Sequence, residues 1–108
     1  MIRHCVLLRL LPEHNASELD AVIAGLREVA DRIEGCTSFL AGPNRDFEKK
    51  SLGYPYGFTM DFESRNALSV YAADAEHKAL GGRLVRLCIG GAEGILVFDL
   101  DSEAGVKL

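Results

Sequence analysis

Apolar positions recur along the chain with two different periods, and the change of period separates predicted helices from predicted strands. Apolar residues return every three or four positions over 19–33, which is typical of an amphipathic helix. Asn15 is a suitable N-cap, Glu18 completes a capping-box pattern with it, and Gly35 is a suitable stop. We therefore predict a helix over 16–34.

Four other segments have the pattern of β-strands. Large apolar side chains alternate with small or polar ones over 56–62, which indicates a half-buried strand. The opening segment 2–10 is apolar in both alternating sets, as in strands that are buried on both faces. Segments 36–42 and 95–100 are the remaining strand candidates, and the charged, glycine-containing stretch 43–55 is predicted to be a loop.

Two shorter helices are predicted between the third and fourth strands. Ser64 is a suitable N-cap for the first and Asp74 for the second, which should end before Gly90. Gly81 and Gly82 weaken the second helix by up to about 1 kcal/mol each relative to alanine. We expect these two glycines to permit a close approach of the helix to the sheet.

The order of elements, β-α-β-β-α-β, predicts an α+β domain of the ferredoxin-like type. The four strands should form one antiparallel sheet with the helices on one face. Several strands are apolar in both alternating sets, so the open sheet face should also be buried. We predict a homodimer in which the two open sheet faces pack together.

Composition narrows the classes of function. The 108 residues are 48% apolar and 26% charged, which is an ordinary balance for one globular domain. A net charge of −4 argues against nucleic acid as a partner, and no apolar run is long enough to span a membrane. Cys5, Cys36 and Cys88 are widely spaced among apolar neighbours, so we expect reduced core thiols in a cytoplasmic protein.

Histidine and tyrosine are the candidate functional residues. His77 stands three residues after the predicted N-cap Asp74, where glutamate or glutamine is usual. Tyr71 lies near the end of the preceding helix, and a tyrosine–histidine pair can polarise a carbonyl and remove an α-proton. His4 shares a strand face with apolar residues. Each residue also has a purely structural interpretation. His77 would then be an exposed histidine in the first turn of a helix, Tyr71 an amphipathic core tyrosine and His4 a buried strand histidine.

Three segments carry a resemblance to a known family. The opening segment 2–8 contains an early strand histidine, His4, and Tyr71 precedes His77 in a Tyr-x-x-x-x-x-His pattern. The terminal segment 96–99 has the sequence Leu-Val-Phe-Asp. In this order and spacing, the segments resemble the stress-responsive A/B barrel (Dabb) domain.

The resemblance implies a domain over 1–101, followed by a C-terminal tail over 102–108, that dimerises into an α/β barrel. It also implies a polyketide-cyclase-like site for a small apolar carbonyl compound. His77 would be the general base, Tyr71 would orient the substrate, and His4 would line the same cavity.

Other functions remain open at this point. A non-catalytic, stress-associated dimer would be favoured if Phe58, Met60 and Phe62 filled the cavity. Related dimeric barrels include haem-handling enzymes, in which case His77 would be the candidate axial ligand; the sequence has no metal-binding pattern, and we expect no cofactor. The chain also has Ala75 where the family often has proline, a change that a first helical position tolerates.

Overall fold

The computed structural model describes residues 1–102 as a four-stranded antiparallel sheet with helices on one face. This confirms the predicted ferredoxin-like α+β fold. The elements are β1 (Ile2–Leu8), α1 (Ala16–Arg32), β2 (Cys36–Pro43), β3 (Tyr56–Phe62), α2 (Arg65–Ala73), α3 (Ala75–Val85), a 3₁₀ turn (Gly91–Gly94) and β4 (Ile95–Asp101).

The strands lie in the order β2-β3-β1-β4, so the N-terminal strand is central. It pairs with β3 on one side and β4 on the other, and Val6 stands opposite both Phe58 and Val97. The order is that of a split βαβ arrangement, as the sequence predicted. It places β4 at an edge of the sheet, next to the strand that carries His4.

The first strand ends two residues earlier than the pattern predicts. Its ladder stops at Leu8, because the backbone of Arg9 bonds instead to Gly94 and Ile89 in the turn before β4. Leu10 forms only an isolated bridge beyond that point. The apolar run therefore predicted too long a strand, because its last residues belong to a buried connection rather than to the sheet.

The predicted N-cap of α1 is confirmed, whereas the full capping box is wrong. The side chain of Asn15 accepts a hydrogen bond from the backbone N–H of Glu18 at 3.0 Å. The carboxylate of Glu18 instead accepts two hydrogen bonds from Arg83 of α3, at 2.7 and 2.8 Å. This ion pair joins the two long helices. The helix ends at Arg32, earlier than predicted, because the backbone of Ile33 is already extended.

The core lies between the sheet and α1, whose apolar stripe is buried as predicted. The buried residues of that stripe are Leu19, Val22, Ile23, Leu26, Val29 and Ala30. From the sheet, Leu8, Met60 and Phe62 are completely buried against the helices. The helix layer therefore covers the central strands most completely.

The opposite sheet face is apolar and uncovered within the single chain. Leu40 of β2 is 68% exposed, and Leu96, Phe98 and Leu100 of the edge strand β4 are 40%, 39% and 59% exposed. An ion pair between Arg3 and Asp61, at 2.8 Å, stands at one end of this face. A single chain of this size therefore leaves a contiguous apolar surface in contact with solvent.

The expectation that Gly81 and Gly82 permit close packing is wrong. A Cβ atom built on either glycine meets no atom of the described residues within 4 Å outside the helix's own backbone. Close approach is instead made at Gly25 of α1, where an added Cβ would lie 2.9 Å from Leu80 Cδ2. The two glycines of α3 therefore lack a packing explanation.

Candidate functional site

A cavity of about 220 Å³ lies between the sheet and the helices, and all three predicted site residues line it. His4 comes from β1, Tyr71 from α2 and His77 from α3. Most of the remaining wall is apolar and consists of Val6, Leu26, Phe58, Leu84, Ile95 and Val97. The sequence-predicted residues thus converge, from three separate elements, on one largely apolar cavity.

His77 is positioned by the capping of α3. Asp74 is the N-cap, and its carboxylate accepts a hydrogen bond from the backbone N–H of His77 at 2.9 Å. The same carboxylate accepts two hydrogen bonds from Arg32 of α1, at 2.8 and 2.9 Å. These bonds, those from Arg32 first, lower the pKa of Asp74 to about 2. The first turn of α3 is therefore held to α1 by a charged capping residue.

Tyr71 and His77 lie side by side without bonding to each other. Their ring centroids are 4.1 Å apart at an angle of 38°, and the ring of His4 lies 5.7 Å from that of Tyr71. The phenol oxygen of Tyr71 and Nδ1 of His77 are buried and have no hydrogen-bond partner within residues 1–102. A buried polar atom without a partner costs about 1–3 kcal/mol, so two in one cluster call for an explanation.

The pKa shifts of the two side chains favour a hydrogen-bond donor, Tyr71, beside a neutral base, His77. Burial lowers the pKa of His77 below its usual value of 6.5, against a hydrogen bond with the Ala72 backbone that raises it. Since Nδ1 has no partner, we assign that bond to the protonated Nε2, which leaves a lone pair on Nδ1. Burial raises the pKa of Tyr71, so its phenol stays protonated. The sequence alone does not give the direction of this shift, because the helix dipole lowers the pKa of a histidine in the first turn whereas nearby carboxylates raise it.

Asp99 is a site residue that the sequence reasoning missed. Its Oδ1 lies 2.6 Å from Nδ1 of His4, across the β1–β4 pair. The carboxylate favours the proton on Nδ1 of His4 and so fixes the orientation of the ring. The sequence pattern could have indicated it, because Asp99 alternates in phase with Ile95 and Val97. It therefore falls among apolar residues on the helix-facing side of the strand.

The third histidine and the arginines of the first strand region lie away from the cavity. Neither Arg3 nor Arg9 lines it. Arg3 pairs with Asp61 on the open sheet face, and Arg9 stacks over the ring of Tyr54 at 4.6 Å. His14 bonds through its ring to a backbone carbonyl in the turn before α1, where it is half-buried.

The cysteines are free thiols, and burial raises the pKa of each, most strongly that of Cys36, to about 11. They are therefore poor nucleophiles at neutral pH. Within residues 1–102, no group of three or more histidine, cysteine or carboxylate side chains is placed to hold a metal ion. None of the described helices is both long and apolar enough to cross a bilayer. The cavity's usable chemistry is that of its imidazoles and phenol.

Comparison with solved structures supports the fold independently. A dimeric ferredoxin-like protein of unknown function from Jannaschia sp. CCS1 is 43% identical, with a TM-score of 0.87 over 93% of this chain and 97% of that one. The Arabidopsis thaliana protein At3g17210 is 23% identical, with a TM-score of 0.77 over 94% of each chain. The hydroxynitrile lyase of Passiflora edulis is 15% identical, with a TM-score of 0.75 over 92% of this chain and 90% of that one.

A search of curated proteins finds none that matches the chain. A family model does match it, over residues 2–102, which is nearly the whole of the described structure. That model is described as the stress responsive A/B barrel domain. The match agrees with the early strand histidine and the Tyr-x-x-x-x-x-His pattern, and the chain belongs to the stress responsive A/B barrel domain family.

Proposed function

We propose that the chain is a small-molecule enzyme of the cyclase or lyase type, acting on an apolar compound that carries a carbonyl group. One observation carries this proposal. The rings of Tyr71 and His77 lie 4.1 Å apart in the lining of an apolar cavity, and the phenol oxygen and Nδ1 are buried with no hydrogen-bond partner among the described residues. A carbonyl compound bound between them would give each atom a role.

The two atoms supply complementary steps. The protonated phenol of Tyr71 donates a hydrogen bond to the carbonyl oxygen, which makes the neighbouring C–H more acidic. The lone pair on His77 Nδ1 then removes the α-proton, and the electron pair of the broken C–H bond forms an enolate. In a cyclase, the enolate carbon attacks a second carbonyl of the same substrate, and the imidazolium returns its proton to the new alkoxide.

The shape of the cavity favours this function over a purely structural one. Met60 and Phe62 are completely buried in the core and do not line the cavity, and Phe58 contributes to its wall. The space beside His77 is therefore open, whereas a non-catalytic barrel would be favoured by aromatic side chains that fill it. Lyase chemistry on this fold, as in the Passiflora protein, is consistent with the proposal.

We also propose that the functional unit is a homodimer joined through the open sheet face. The exposed leucines and Phe98 of that face form an apolar surface that a second copy would cover. Similar structures from two bacteria are described as dimeric. A cytoplasmic location and an association with stress remain predictions from the sequence and the family resemblance.

Hydrogen–deuterium exchange tests the catalytic proposal without knowledge of the natural substrate. Acetophenone is a small apolar ketone whose methyl protons exchange through an enolate, and its deuteration in D₂O is followed by proton NMR. We expect the protein to accelerate the exchange, and His77→Gln to reduce the acceleration by about 10²–10⁴-fold, the usual contribution of a general base.

His14→Gln is the matched control, since it removes a histidine that lies outside the cavity. It should exchange acetophenone at the wild-type rate. The catalytic proposal is wrong if wild type and His77→Gln deuterate the ketone equally. Binding of the ketone without accelerated exchange would instead support the non-catalytic ligand-binding dimer.

A further inference from the structure

We propose that Gly81 determines ligand length: its missing side chain opens the cavity wall between α3 and β4, and the apolar tail of the ligand extends there. The inference rests on the proposed function, because it assumes that the carbonyl end is held by Tyr71 and His77. It assigns the site's substrates to a narrower class, carbonyl compounds with a linear apolar tail.

Packing does not explain the glycine. A Cβ atom at Gly81 meets no described atom within 4 Å outside its own helix, so the position has room for a side chain. Glycine in the interior of a helix is unfavourable because it leaves the backbone more freedom to lose on folding. At Gly25 the close contact with Leu80 explains the absence of a side chain. At Gly81 the remaining explanation is the space itself, which belongs to the cavity.

The residues that line the cavity place that space beside the edge strand. Leu80 packs onto Gly25 of α1, and Gly81 follows about 100° further round the helix, on the flank away from that contact. Ile95 and Val97 of β4 line the same cavity, and Val97 is 50% exposed although it is on the helix-facing side of the sheet. The gap between α3 and β4 is therefore both apolar and open to solvent.

The position of Gly81 along the helix defines which part of a ligand reaches it. His77, Gly81 and Leu84 all line the cavity, at successive turns of α3. Gly81 is about 6 Å along the helix axis from His77, given the rise of an α-helix. Polar groups cluster at the level of His77, and the wall beyond it is apolar. A carbonyl held at His77 would therefore direct the attached tail past Gly81.

The chain supplies its own control at the next residue. Gly82 is also in the helix interior and also meets no described atom within 4 Å, but it is exposed and does not line the cavity. Leucine is a good helix former, so Gly81→Leu and Gly82→Leu should both remain folded and should both unfold at a higher urea concentration than wild type. Only Gly81→Leu should place a side chain in the gap.

The experiment measures dissociation constants for acetophenone, butyrophenone and hexanophenone by NMR titration of the ¹⁵N-labelled protein. In wild type and in Gly82→Leu, affinity should rise with tail length, by at most about fourfold for each methylene that becomes buried. In Gly81→Leu, acetophenone should bind within about twofold of wild type. Hexanophenone should lose about tenfold or more of its affinity, because the added side chain takes space that its tail occupies in wild type.

Two results would overturn the assignment while leaving the proposed function intact. The first is that the affinity of wild type for the ketones does not depend on tail length. The second is that Gly81→Leu and Gly82→Leu change this dependence of affinity on tail length equally. If wild type bound no ketone of the series, the carbonyl-binding proposal and this one would both be wrong. The first two outcomes are therefore distinguishable from failure of the function itself.

Discussion

At the scale of single residues, the site combines two buried polar atoms that have no hydrogen-bond partner within the described part of the chain. The rings of Tyr71 and His77 lie 4.1 Å apart, yet the phenol oxygen and Nδ1 each lack a hydrogen-bond partner within residues 1–102. Such an arrangement costs stability and is retained where a ligand needs the atoms. The sequence indicated this pair through an unusual histidine at the third position of a helix, and burial is the main cause of its lowered pKa.

Tyr71→Phe should separate stability from activity. Removing the unpartnered buried hydroxyl should raise the free energy of unfolding of the ligand-free protein by about 1–3 kcal/mol, because it removes an uncompensated desolvation cost. The same change should reduce acetophenone exchange, because the carbonyl loses its donor. Urea denaturation and the exchange assay measure the two effects. Destabilisation by this substitution would show that the hydroxyl has a partner and would contradict the assignment.

At the scale of elements, local rules predicted where helices begin better than where elements end. Asn15, Ser64 and Asp74 cap their helices as expected, because an N-cap depends on one side chain and the next turn. The end of β1 depended on bonds between Arg9 and a distant turn, and the partner of Glu18 depended on a contact across two helices. Such long-range contacts leave little trace in local sequence.

Replacing glycine by alanine should have opposite effects on stability in the helix α3 and in the strand β3. Gly82→Ala should stabilise the protein by up to about 1 kcal/mol, because it improves helix propensity where there is open space. Gly57→Ala should destabilise it, because a Cβ there would lie 2.7 Å from the carbonyl oxygen of Val6 and 2.8 Å from a methyl of Leu7. Urea denaturation of both variants checks the contrast. Equal effects would contradict the packing described for α3 and β3.

The first turn of α3 should weaken in acid through Asp74. Its pKa is about 2 in the folded chain against an ordinary value of 3.8, so its contribution is fully present above pH 4 and is lost as pH falls toward 2. Asp74→Asn keeps a capping oxygen and removes the charge, so it should be less destabilising than Asp74→Ala and should reduce the acid dependence of stability. Denaturation curves between pH 2 and pH 6 test this. An unchanged acid dependence in Asp74→Asn would contradict the ion pair with Arg32.

At the scale of the whole molecule, the surplus of apolar positions in the strands has a structural counterpart. Cys5, Leu7 and Phe98 lie on the sheet face away from the helices, and the edge of that face is exposed in the single chain. Alternation within the strands predicted this face. The cavity was less predictable, because strand pairing brings Asp99 to His4 and helix placement brings Gly81 to the cavity wall, and neither depends on a motif.

Two matched substitutions test the dimer. Phe98→Glu adds a charge to the centre of the edge strand's apolar face, opposite Cys5, and should weaken dimerisation by about tenfold or more. Phe47→Glu makes the same chemical change at a side chain that is 96% exposed in the loop before β3, and should leave the dimer intact. Light scattering should give wild type a mass of twice the 11.8 kDa of the chain. A monomeric wild type would contradict the proposed assembly.

The central claim is that His77 acts as a general base in the cavity, and the pH dependence of acetophenone exchange tests it most directly. The base must be neutral, so the exchange rate should rise as pH passes through the pKa of His77 and reach a plateau above it. We predict an apparent pKa below the usual 6.5, equal to the value obtained by NMR titration of the His77 ring. A rate that increases with hydroxide without a plateau, or an apparent pKa unlike that of His77, would contradict the account.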